Sequence, residues 1–225
     1  MYRQTALTMQ PTPRTRLARH PERGSFDRDV VHAILDEALI CHIGFAVDGQ
    51  PYVLPTTHAR IDDRLYVHGS IASRMLKTLR GGVPVCVTAT LIDGLVLARS
   101  AFHHSMNYRS VVILGTASQV TDPAHKRSAF NALIEHVVPG RSAQVREASD
   151  QELKATLVLG LDITEVSAKV RTGGPLDAED DYALRCWAGV VPLSVQAQAP
   201  IADARLIPGV ALPEEVAGYR RSRQA

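Results

Sequence analysis

Cysteine is scarce in this sequence: Cys41, Cys86 and Cys186 are the only three in 225 residues, and no two form a CxxC pair. An odd, widely spaced set argues against a disulfide framework and against the usual zinc-ligand spacings. Cys41 and Cys86 lie in apolar runs and read as small core residues, and the reducing cytoplasm is the expected compartment. Excess charge of one sign is lacking too. The formal net charge is +2, far from the basic footprint of a nucleic-acid binder, so no nucleic-acid partner is expected. No apolar run approaches the roughly 18 residues of a membrane helix, and no membrane partner is expected. Neither GxGxxG nor GxxxxGK[ST] occurs, which leaves out the Rossmann and P-loop nucleotide sites.

What is present is ordinary globular composition, 45% hydrophobic and 21% charged, in a length that suits one domain with an extension. The first 24 residues are rich in Arg, Thr and Pro with one acid, Glu22, and read as a disordered or surface-draped arm. Val30, Ile34, Leu35 and Ala38 recur at helical spacing, predicting a helix over about 26–39 capped by Ser25 or Asp27. Cys41, Ile43, Phe45 and Val47 alternate as a strand, and Asp48-Gly49 turns it into a return strand over 50–59. A third strand over 64–68 leads to a short helix over 70–79. A strand over 83–91 meets a second hairpin dipeptide, Asp93-Gly94, and returns over 95–101. A strand rich in β-branched residues follows over 109–120. Asp122-Pro123 opens a helix to about 137, and the Ser149–Glu152 capping box opens another to about 159. Strands over 161–170 and 188–196 complete the set. Hairpin-joined strands with single helices between them predict a mainly β, antiparallel barrel with peripheral helices.

Two segments carry chemistry. At Leu65-Tyr66-Val67-His68-Gly69-Ser70-Ile71-Ala72-Ser73-Arg74-Met75-Leu76-Lys77, a strand ends at a glycine and a helix begins among hydroxyls and cations. Unpaired N–H groups at a helix start attract phosphate, and Arg74 and Lys77, three apart, share a helix face and could clamp a dianion. A solvated amphipathic helix with incidental capping serines fits the same spacing. The second segment, from Ala98 to Val111, crowds Phe102, His103, His104, Asn107, Tyr108, Arg109 and Ser110 between two apolar strands, where a pocket mouth would form. His103 and His104 point to opposite faces of an extended chain, so no metal site is expected there.

The runs "LYVHGSIASRMLKTL", "DGLVLARSAFHHSMNYRSVVILGTA" and "ATLVLGLDITEVSAKVRTGGP" resemble the pyridoxamine-phosphate-oxidase-related flavin-nucleotide-binding proteins. The branch resembled is the one that includes the 5-nitroimidazole-resistance (Nim-type) proteins. The opening "TPRTRLARHPERGSFDRDVVHAILDEALICHIGF" is similar as well. The resemblance implies a six-stranded split β-barrel that dimerises and binds FMN at the subunit interface. The resemblance runs from about Pro13 to Leu193, and with the composition at either end the chain divides into an arm (1–24), an FMN-binding domain (25–196) and a C-terminal extension (197–225). The resemblance also bears on single residues. It implies phosphate contacts from Ser70, Ser73 and Arg74, more loosely from Lys77, and flavin contacts from Asn107, Tyr108, Arg109 and Ser110. It also implies that Trp187 reaches the flavin from the partner subunit and that His68 lies near the flavin ring. The arginine pair that would hold a pyridoxamine phosphate is absent around Cys186–Leu193, so that oxidation is not expected. The function implied is an FMN-dependent oxidoreductase acting on a nitroaromatic or quinone-like acceptor. A flavin carrier or sensor without turnover, and a haem-binding split barrel with His68 or His104 as axial ligand, are the alternatives.

Overall fold

The computed structural model describes residues 9–221. The elements run β1 (Gly24–Ser25), α1 (Arg28–Glu37), β2 (Ile40–Val47), β3 (Gln50–Ile61), β4 (Arg64–Ser70), α2 (Arg74–Arg80), β5 (Pro84–Leu97) and β6 (Ser105–Thr116). They continue with β7 (Ser118–Gln119), α3 (Pro123–Val137), α4 (Asp150–Lys154), β8 (Thr156–Asp162), β9 (Glu165–Arg171), β10 (Gly189–Pro192) and α5 (Glu214–Ala217). All strand pairs are antiparallel, in the order β1-β9-β6-β5-β2-β3-β4-β8-β7, with β10 added along β5. The sheet curls without closing, as a split barrel does. Seven strands of seven residues or more form it, one more than the six expected, and three strands of four residues or fewer extend the set.

The split lies in β3. Up to Thr57 this strand pairs with β2; from His58 it pairs with β4. Helix α3 packs over that change of partner. The barrel interior is filled by alternating strand residues, Ile43, Val87, Ile113 and Leu159 among them, and is plugged by Val31, Ile34 and Leu35 of α1. Each such fully buried aliphatic side chain stabilises the fold by about 1.5–3 kcal/mol.

Local chemistry sets most element ends. Asp27 accepts from the Asp29 N–H at 2.8 Å and caps α1. Asp122 accepts from His125 at 2.7 Å at the start of α3, and the Ser149–Glu152 capping box is complete. Asp48 and Gly49 take φ of 50° and 80°, as a hairpin of this type requires. Of the N-terminal arm, residues 1–8 lie outside the described residues. The remainder is draped on the barrel: Met9 joins the core, and Arg14 and Thr12 both bind the Glu165 carboxylate.

Four expectations need correction. Asp93-Gly94 makes no hairpin, because β5 runs through it for 14 residues with a bulge between Ile92 and Gly94. Gly94 serves close approach instead: a Cβ there would stand 3.0 Å from both Val190 Cγ1 and the Val191 oxygen of β10. The helix expected from Ser70 starts only after Ser73, its N-cap, since Ser70 still pairs with Thr156. The helix opened at Ser149 stops at Lys154, where the apolar run Leu157–Leu161, buried at every position, is drawn into β8. The strand expected over 161–170 is a hairpin, β8 turning into β9 at Ile163 and Thr164. Among the described residues no helix is long and apolar enough to cross a membrane.

Candidate functional site

Strand β4 delivers two different surfaces within three residues. At its end, Gly69 lets α2 fold back closely, for a Cβ there would meet Leu76 Cδ1 at 3.0 Å. The corner that results is built by its own serines. Ser70 Oγ accepts from the Ala72 N–H at 3.1 Å, the Ser70 carbonyl accepts from Ser73 at 2.9 Å, and Ser73 Oγ accepts from Leu76. Arg74 and Lys77 stand exposed on α2, and among the described residues neither is paired with a carboxylate. The Arg74 guanidinium lies 5.5 Å from the centre of the Tyr52 ring, which itself stacks on Phe45. Ser70, Ser73, Arg74 and Lys77 are therefore brought together, with Arg74 beside an aromatic face and neither cation paired with a carboxylate among the described residues.

One residue before Gly69, His68 points to the other side, towards α3. Its ring meets Phe130 edge to face at 5.3 Å, and its Nδ1 is buried with no hydrogen-bond partner. Burial pushes the imidazole below its ordinary pKa, so the ring is neutral at pH 7. It lines a cleft of about 300 Å³ whose floor is Phe130, Leu133, Ile134, Val137 and Val138. A neutral imidazole lining an apolar slot can serve as a ligand to a haem iron. The residues fit that group. His104 does not share this setting: it is exposed, and its Nδ1 is bound to the Ser100 carbonyl at 2.9 Å.

Three strands, β5, β2 and β3, separate the β6 residues from β4 in the sheet order. Asn107 is buried, its amide donating to the Gly173 carbonyl at 3.1 Å and accepting from Arg171. Arg109 is held between two carboxylates, Glu37 and Asp93, with both nitrogens of its fork engaged on each side. Ser110 Oγ donates to the Lys169 carbonyl, and Tyr108 is half-buried opposite Arg171. Within one chain, then, Asn107, Arg109 and Ser110 are engaged by the fold itself. Trp187 is 67% exposed, with its ring lying over Gly189, where a Cβ would meet it at 2.9 Å.

Residues 27–170 match the family model described as pyridoxamine 5′-phosphate oxidase. The chain belongs to that family. Within solved structures it is similar to the flavocytochrome Anf3 from Azotobacter vinelandii, at 40% identity over 94% of this chain and 99% of that one, with a TM-score of 0.88. It is similar to the FAD and heme binding protein from Mycobacterium smegmatis, at 38% identity over 87% and 96% of the two chains, TM-score 0.84. A candidate 5-nitroimidazole antibiotic resistance protein from Bacteroides thetaiotaomicron matches at 25% identity over 64% and 84%, TM-score 0.53. No curated protein sequence matches the chain.

Several residues around the candidate site were not visible in the sequence. His58 is fully buried at the split, with Nε2 donating to the Leu35 carbonyl at 2.9 Å and its ring 4.7 Å from that of His136. Arg221 reaches the same place from the far end of the chain, beside a cleft of about 480 Å³ between α1 and α3. Phe130 and Arg141, which complete the His68 cleft, lie in segments with no motif of their own. Only the spacing of Phe130, Leu133, Ile134 and Val137 on α3 hinted at a shared apolar face.

Proposed function

We propose that this protein binds a flavin nucleotide and a haem and works as a redox protein. His68 would hold the haem iron and the Ser70–Lys77 corner would hold the flavin phosphate. The observation that carries the reading is the His68 ring, with its buried, unpartnered Nδ1, set in an apolar cleft two residues before that corner. The names of the two relatives at 38–40% identity, a flavocytochrome and an FAD and heme binding protein, support the pairing of cofactors. The phosphate next to the ribityl chain is common to FMN and FAD, so the same corner serves either, and the Mycobacterium relative favours FAD over the FMN implied by the sequence resemblance. When bound, the flavin supplies one- and two-electron chemistry and the haem one-electron chemistry. The chain's own part is to hold the phosphate with Arg74 and Lys77, keep the His68 imidazole neutral, and shield the cleft from water with α3.

The absorption spectrum of the purified protein tests this directly. Two broad flavin bands together with a sharp Soret band are expected, and mass spectrometry of the released cofactors separates FMN from FAD. In His68→Ala the Soret band should vanish while the flavin bands persist; a Soret band unchanged in that variant would overturn the assignment.

A homodimer belongs to the same reading. Trp187 is exposed, and no residue from 172 to 221 is buried, which leaves that segment's apolar side chains for a partner copy to cover. Light scattering at micromolar concentration should report two chains per particle, in C₂ symmetry. A second activity, reduction of a nitroaromatic or quinone-like acceptor, is favoured by the 87%-exposed ring of Phe102 beside β6. Turnover with a reductant distinguishes it from a pure carrier or sensor.

A further inference from the structure

The cleft beside His68 has one charged end. Its lining is apolar apart from Thr57, His68 and Arg141, and Arg141 is the one ionised side chain among them. The placement of Arg141 is built. α3 ends at Val137, the chain turns through Gly140 at φ 83°, and Arg141 opens the short 3₁₀ turn Arg141–Gln144. The Glu135 carboxylate clamps this turn, accepting from the N–H groups of Gly140 at 2.6 Å and Ser142 at 2.8 Å, one on each side of Arg141. The guanidinium has a neutral neighbour, donating to Gln144 Oε1 at 3.1 Å, and among the described residues it forms no ion pair. Glu215 of α5 feels its charge from further off but is itself hydrogen-bonded to Gln144.

We propose that Arg141 is the anion anchor of the cleft, pairing with a carboxylate of a flat apolar ligand, namely a haem propionate, while His68 takes the iron. This rests on the haem reading given above. An apolar slot binds a porphyrin face without fixing its rotation in the slot. One rigidly placed fork at the rim fixes it, because a guanidinium pairs with a carboxylate through two parallel hydrogen bonds. The carboxylate also has to leave bulk water at the edge of an apolar surface, which is unfavourable unless a cation meets it there. The anchor therefore selects porphyrins with free acid groups over their esters.

The test uses the full chain freed of haem, titrated with hemin and with hemin dimethyl ester and followed at the Soret band. Wild type should bind the free acid about tenfold more tightly than the ester, the scale of one charge-assisted pair. Arg141→Met should lose that preference by weakening only the free-acid complex, with the Soret maximum unmoved because His68 is intact. Arg141→Lys should keep part of the preference, which separates loss of charge from a folding defect. A wild type that binds hemin but ignores esterification overturns the anchor and leaves the His68 reading standing. A preference that survives in Arg141→Met overturns it too. A wild type with no Soret band at all overturns both.

Discussion

Arg221 donates to the main-chain oxygen of His136, and the same guanidinium reaches the carbonyls of Asp36 at 2.8 Å and Glu37 at 2.7 Å. Those carbonyls are among the last of α1 and α3, which no intrahelical N–H can satisfy. One cation thus closes the C-terminal ends of two helices and ties them across the split of the barrel, where both helix dipoles favour positive charge. Arg221→Met should lower stability by about 2 kcal/mol, the value of a charge-assisted hydrogen-bond set. The shift in urea midpoint at constant m-value measures it, and a midpoint equal to wild type would show that water serves those carbonyls as well.

The same contact has a pH dependence. Burial, and then the neighbouring His136, push His58 down to about 4, while burial and the Arg221 charge lower His136. Asp36 opposes both shifts without reversing them. Because the unfolded chain takes up these protons first, near pH 6.5, the stability from neutral His58 and His136 is complete above that value. It is lost as pH falls towards 4, by about 3 kcal/mol for His58 alone. Urea midpoints between pH 7.5 and 4.5 should fall in wild type and fall less steeply in His58→Gln. Parallel curves for the two proteins would remove His58 from the acid response.

Arg109 makes a different prediction from the one its place beside a flavin would suggest. Its guanidinium joins Glu37 of α1 to Asp93 at the bulge of β5, with all three side chains 13–16% exposed. Arg109→Met leaves two carboxylates without their cation and should cost about 3 kcal/mol. Flavin content per folded chain should hardly change. A normal melting temperature with lost flavin would reverse the assignment and return Arg109 to the cofactor.

Arg74→Ala acts on the opposite side of that ledger. With no carboxylate partner to lose, its fold should be as stable as wild type within about 0.5 kcal/mol. Its affinity for a flavin nucleotide should drop about tenfold and its affinity for riboflavin should not change. Isothermal titration with both ligands reads the two effects, and an equal loss for riboflavin would point to the Tyr52 face instead of the phosphate.

The two Asp-Gly dipeptides show where sequence reasoning held and where it stopped. Asp48-Gly49 sits between β2 and β3, which pair residue for residue from Val47–Gln50 to Ile40–Thr57, and turns. Asp93-Gly94, with the same local preference, is kept straight by β10, whose approach needs the missing Cβ and whose pairing comes from nearly a hundred residues away. In the same way the capping box at Ser149 fixed where α4 begins, while pairing with β4 decided where it ends. The Ser70–Lys77 corner and His68 were legible because a strand end, a glycine and a helix start lie consecutively in the chain. The partner of His68 across the cleft, the buried His58 and the Arg221 contact were not. Their meeting depends on main-chain carbonyls and on a helix placed by the rest of the barrel, neither of which leaves a mark in the residue pattern.

The Arg221 contact also sets an order of events during synthesis. Its partners in α1 lie 184 and 185 residues earlier in the chain. At roughly 5–20 residues per second, α1 waits about 10–40 s for the arginine that closes it. Until then the growing chain carries an amphipathic helix with an open end and an unsealed barrel, a span in which a chaperone has something to hold.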